Sequence, residues 1–156
     1  YRRRMQAQVA QLIGQPLWYV TRRPSSPMTL AFGDRVARRR AGGHPAEHAA
    51  YRSHRGQFEL TLYCPWRLER GDQLVVGAGD EPAALVGLDA CVDHPVGGVS
   101  VDPRFGDLTL TFEGGLVLRV FPARAAVFES WILATPTGAL CVGPGSAWEL
   151  QPPTDA

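Results

Sequence analysis

From Phe58 onward the chain alternates. Phe58, Leu60, Leu62, Cys64, Trp66 and Leu68 are apolar at a strict period of two, with Glu59, Thr61, Tyr63, Pro65, Arg67 and Glu69 between them. A period of two sends successive side chains to opposite faces, so this run predicts a half-buried antiparallel strand, interrupted or bent at Pro65. Leu108, Leu110 and Phe112 alternate in the same way with Thr109 and Thr111. Glu113-Gly114-Gly115 then predicts a tight hairpin into Leu116, Leu118 and Val120. Arg70-Gly71-Asp72 turns residues 66–69 back into a strand over 73–77. Helix signals are fewer. One covers Arg2 to Ile13, stopped by Gly14 and Pro16; the other covers Glu81 to Val92, with Pro82 suited to a first helical turn and Pro95 closing it.

The pattern also repeats. Pro16, Val20 and Pro24 match Pro95, Val99 and Pro103 at an offset of 79, and Thr29-Leu-Ala-Phe32 matches Thr109-Leu-Thr-Phe112 at an offset of 80. Phe58 to Tyr63 corresponds to Leu116 to Phe121, Trp66-Arg-Leu68 to Trp131-Ile-Leu133, and residues 74–80 to 140–146. Upstream, Val9, Leu12 and Ile13 align with Leu88, Cys91 and Val92. Shared order along nearly the whole chain marks an internal repeat. The expected fold is α+β, mainly antiparallel β: two tandem pseudo-repeats of a short helix plus about five strands, packed around a pseudo-two-fold. The first spans 1–80, the second 81–156, and both belong to one compact structural domain. Between Phe112 and Leu116 the hairpin turn holds three residues, whereas the gap from Phe32 to Phe58 holds 25. Residues 33–57 therefore read as a basic insertion that enlarges one hairpin turn, exposed and without strand or helix periodicity.

Charge sharpens that insertion. The 156 residues balance to +1, but residues 1–55 carry eleven Arg against two acids, and residues 56–156 carry five Arg against thirteen acids. Every one of the 16 basic residues is Arg, and Gly and Pro are plentiful at 17 and 13. This is the mark of a GC-rich bacterial genome, which weakens any single Arg as a sign of guanidinium-specific chemistry. No apolar run approaches the roughly 20 residues that span a bilayer, and no charged-then-apolar signal segment opens the chain, so no membrane partner is expected. Three cysteines, Cys64, Cys91 and Cys141, lie in apolar stretches. Their odd number and wide spacing suit small buried hydrophobes in a reducing, cytoplasmic setting.

Candidate chemistry is sparse. His44-Pro-Ala-Glu47-His48 fits the H-x-x-E-H pattern of inverted zinc peptidases, in which two His four apart on a helix hold Zn²⁺ and the Glu serves as base. Pro45 biases His44 away from helical geometry and the segment has no apolar face, so a solvated loop is the simpler reading. Arg35, Arg38, Arg39, Arg40, Arg52 and Arg55 suit contacts to phosphate or carboxylate oxygens, and Tyr51 is the only aromatic among them. Arg67 lies opposite the face of Trp66 and beside Glu69, which predicts a surface ion pair, with a ligand contact as the lesser reading. Trp66 and Trp131 are expected as paired core aromatics. Gly77-Ala-Gly-Asp80 lacks the Lys and strand-to-helix context of a phosphate loop and reads as a strand-end turn. No cofactor is called for.

The strings CPWRL (64–68), DLTLTFEGGLVLRVFP (107–122) and ESWIL (129–133) resemble a group of small bacterial proteins of unknown function. The resemblance covers roughly residues 12–146, omits the insertion, and implies kinship without an activity. The expectation is a non-enzymatic binding or protein-interaction module of the immunity-protein or adaptor kind, with another protein as partner. Two alternatives stand beside it: nucleic-acid or acidic-partner binding through the Arg-rich insertion, and a zinc-dependent hydrolase using His44, Glu47 and His48.

Overall fold

A computed structural model describes residues 2–21, 27–40, 49–80, 82–122, 129–145 and 147–153. Helix α1 (Arg2–Ala10) leads to strands β1 (Leu17–Val20) and β2 (Met28–Ala37). Helix α2 (Ala49–Ser53) then runs directly into β3 (His54–Leu62), followed by β4 (Trp66–Arg70) and β5 (Gln73–Gly77). A 3-10 helix, Pro82–Cys91, precedes β6 (Val96–Val101), β7 (Leu108–Phe112), β8 (Leu116–Val120), β9 (Trp131–Thr135), β10 (Gly138–Val142) and β11 (Trp148–Gln151). The protein is mainly antiparallel β with few helices. One sheet has the order β1-β2-β3-β9-β10-β11, the other β5-β4-β8-β7-β6.

The alternating apolar residues meet between these sheets. Leu30, Phe32, Leu60, Trp131 and Leu133 from the first, and Leu68, Leu108, Leu110, Phe112 and Leu118 from the second, belong to one buried cluster. Phe32 and Phe112 stack across it with centroids 6.5 Å apart. Trp131 is fully buried, and its Nε1 donates to the Gly106 carbonyl at 2.8 Å, as a buried indole requires. The long alternating run is divided as Pro65 suggests: β3 lies in the first sheet and β4 in the second, so the chain passes from one sheet to the other at Tyr63–Pro65.

Three expectations are refined or corrected. The helix expected over 81–92 is a 3-10 helix over Pro82–Cys91; it places Leu88 and Cys91 in the core and Leu85 against it, and this spacing of three matches its three residues per turn. Helix α1 stops at Ala10, and Ile13 is half exposed, unlike Val9 and Leu12 in the core. The basic segment is not a loop throughout. β2 continues to Ala37 and β3 begins at His54, paired Arg35 to Gly56, Val36 to Arg55 and Ala37 to His54 beyond a bulge. Gly33 has φ 78° in that bulge, a left-handed conformation that favours glycine, and the Asp34 N–H donates to Gln57 Oε1 at 3.2 Å. Polar ladder residues such as these leave no apolar periodicity to read.

Candidate functional site

Register fixes what the outer face of β1, β2 and β3 presents. Leu30 opposite Leu60 and Phe32 opposite Phe58 face the core, so the alternate residues Tyr19, Ala31 and Glu59, paired in turn, face outward. Helix α2 lies over that face. Its Tyr51 is buried, stacks on Tyr19 with centroids 4.6 Å apart, and donates its hydroxyl to Glu59 Oε2 at 3.4 Å. The second Glu59 oxygen accepts the Gly56 N–H at 3.0 Å. Trp18 completes the cluster 6.2 Å from Tyr51. It sits in a bulge of β1 between Leu17 and Tyr19, the sort of feature that re-aims a side chain. Burial, and next the negative charge of Glu59, push the Tyr51 phenol up to about 12, so it stays a donor throughout the neutral range.

Two arginines are laid on these rings. The Arg35 guanidinium stands 4.7 Å from the Trp18 ring centroid and that of Arg38 4.6 Å from Tyr51. Arg38 also fastens α2 to β2: its N–H donates to the Ser53 carbonyl and its Nε to the Tyr51 carbonyl at 2.8 Å. Arg39, Arg40 and Arg52 are exposed nearby. Arg55 is half-buried and, with Gln57, Glu59, Thr135 and Gln151, lines a groove of about 350 Å³. Among the described residues, no carboxylate pairs with any of these six arginines.

Arg67 is not part of this surface. It lies on β4 in the other sheet, paired with Glu69 and over the Phe121 ring at 4.9 Å, while Arg119 Nε reaches both Glu69 oxygens at 3.0 Å. The two guanidinium groups hold the Glu69 carboxyl below its ordinary range. The predicted ion pair is therefore present, with a second arginine that the sequence pattern did not bring to it.

His44, Glu47 and His48 lie outside the described residues; among the described residues, no three His, Cys, Asp or Glu side chains gather as metal ligands. The thiols are unsuited to nucleophilic work. Burial pushes Cys64 up to about 11 and Cys91 up to about 12, and raises Cys141 as well, keeping all three protonated near neutrality. The Gly77–Asp80 segment is a strand-end turn, with the Gly77 N–H donating to Asp80 Oδ2 at 2.8 Å. No described helix is long and apolar enough to cross a membrane.

Sequence reasoning found the arginines but not their platform. Trp18 and Tyr19 are far from Tyr51 along the chain and meet it only because β1 pairs with β2 and α2 folds back. The available signal was two adjacent aromatics just after Pro16, on a strand too short to show alternation. Compared with protein-family models, with curated proteins and with solved structures, the chain matches none.

Proposed function

We propose that this chain is a non-enzymatic protein-interaction module, of the immunity-protein or adaptor kind, whose working surface is the basic end of the β2–β3 hairpin with α2. One observation carries the reading: six arginines at the end of the β2–β3 hairpin and on α2 have no described carboxylate partner, and two of them stand over aromatic rings. A guanidinium held in this way keeps its charge and loses conformational freedom before binding, so less entropy is lost when it meets carboxylates. An acidic protein surface fits better than a nucleic acid. Single-strand binding uses open ring faces for base stacking, whereas the buried Tyr51 is stacked on Tyr19 and carries the Arg38 guanidinium. A cytoplasmic setting belongs to the same proposal, supported by three free cysteines, as does kinship with the small bacterial proteins that share its strings.

The duplicated architecture is part of this reading, and several paired details support it. Adding five to each label of the order β1-β2-β3-β9-β10, with β9 and β10 returning to β4 and β5, gives the second sheet. β1 bulges between Leu17 and Tyr19, and β6 between Val96 and Gly98. The Gly33 N–H donates to the Pro16 carbonyl, the Glu113 N–H to that of Pro95, and Pro16 and Pro95 bridge each other. In this scheme each copy lends two strands to the other's sheet, and only the first copy carries the aromatic and arginine surface.

The test is titration of the protein with an oligoglutamate peptide and, separately, with oligothymidylate. We expect peptide binding that weakens with salt and falls about tenfold or more when Arg39, Arg40, Arg52 and Arg55 are changed to Gln. Changing Arg67, Arg70, Arg104 and Arg119 instead should alter it little. No peptide binding, or equal loss from both sets, refutes the reading, and preference for the oligonucleotide replaces it with nucleic-acid recognition.

A further inference from the structure

Trp18 Nε1 is buried and donates to no acceptor among the described residues. Buried donors are nearly always paired, because leaving one unpaired is costly. The other indole whose bonding is described, Trp131, has its carbonyl. The orphan belongs to the bulged residue of β1, beneath the exposed Arg35, which pairs with no carboxylate among the described residues. At the corresponding bulge of β6 stands Gly97, which has no side chain to aim. An orphan donor and a cation without a described carboxylate partner therefore share one spot on the surface proposed above to bind an acidic partner.

We infer that Trp18 and Arg35 together form a carboxylate-reading site, in which one oxygen of a partner's Asp or Glu side chain accepts the indole N–H and the other accepts from the guanidinium. The inference rests on the proposed interaction function and names how that surface distinguishes its ligand. A planar anion with two oxygens matches two donors of this kind. The magnitudes favour the exchange. An exposed cation–π contact is weaker than a charge-assisted hydrogen bond together with relief of the orphan donor. Arg35 thus turns from the ring toward the carboxylate at small cost.

The experiment uses the full chain labelled with nitrogen-15, observing the indole N–H resonances while oligoglutamate is added; Trp18→Phe assigns the Trp18 peak. We expect that peak to move downfield on binding. Trp18→Phe, which keeps the ring face but removes the donor, should bind the peptide about tenfold more weakly at an unchanged salt slope. Arg35→Gln should weaken binding and lower the slope. If the wild type binds the peptide while the Trp18 peak stays still, or Trp18→Phe binds as tightly, the carboxylate-reading site is wrong and the wider interaction reading stands. If the wild type binds no peptide, both fail. The indole shift is read on the wild-type chain, so poor folding of a variant does not shield the inference.

Discussion

Two glutamates occupy comparable places on the outer faces of the two sheets and are satisfied in opposite ways. Glu59 on β3 lies across from Ala134 of β9, and Glu69 on β4 across from Val117 of β8. Glu69 is held by Arg67 and Arg119, so that face consumes its own positive charge. Glu59 is held by the Tyr51 hydroxyl and the Gly56 N–H, both neutral donors. A carboxylate satisfied without a cation leaves the neighbouring arginines unspent. The difference teaches that the hairpin's positive charge does not follow from arginine count alone; it depends on who serves the local acid.

The comparison breaks most readily at Tyr51, which is at once the stack on Tyr19, the seat of Arg38 and the donor to Glu59. Tyr51→Ala should cost about 3 kcal/mol, as truncation of a buried aromatic does, measured by urea unfolding. A loss below 1 kcal/mol would mean that α2 is only loosely held. The next effect is one of pH. The phenol titrates near 10 in an unfolded chain but is pushed up to about 12 in the fold. Its contribution is complete below pH 10 and is lost as pH rises through 12, by about 2 kcal/mol. The raised thiols of Cys64 and Cys91 slope the same way. The prediction is therefore the difference between wild type and Tyr51→Phe, which should vanish if Tyr51 does not titrate late.

How much of this could be read from residues follows from what makes each part. The β hairpin of Leu108 to Val120 was legible because burial on one face demands a period of two, and Glu113-Gly114-Gly115 supplies the turn. The division at Pro65 was legible too, although nothing local says that the two halves join different sheets. A helix over Pro82–Cys91 was legible but its 3-10 type was not, because Leu85 to Cys91 is too short a stretch to separate a spacing of three from 3.6. At the candidate site the charges were plain. The order that holds them was not, since Trp18, Tyr19 and Tyr51 come from segments joined only by strand pairing, and Arg35 to Ala37 extend β2 through backbone bonds that leave no hydrophobic trace.

The smallest effect tests the two glutamates directly. Arg67 and Arg119 are well exposed, at 48% and 40%, and exposed ion pairs in water are worth 1 kcal/mol at most, about that order or less. Glu69→Gln should therefore cost less than about 1 kcal/mol, and high salt should screen most of the difference. Because the Glu69 carboxyl is held below its ordinary range, its contribution is present above the unfolded carboxylate pKa and is lost as pH falls. Glu59→Gln should cost about 1 kcal/mol, since an amide oxygen can keep one of the two donors but not both. That loss should persist in high salt, because neither Tyr51 nor Gly56 brings a charge. Unfolding both variants at low and high salt separates the cases. If the two glutamates respond to salt alike, then Glu59 is in fact served by an arginine, and the hairpin has less positive charge to offer a partner than its sequence suggests.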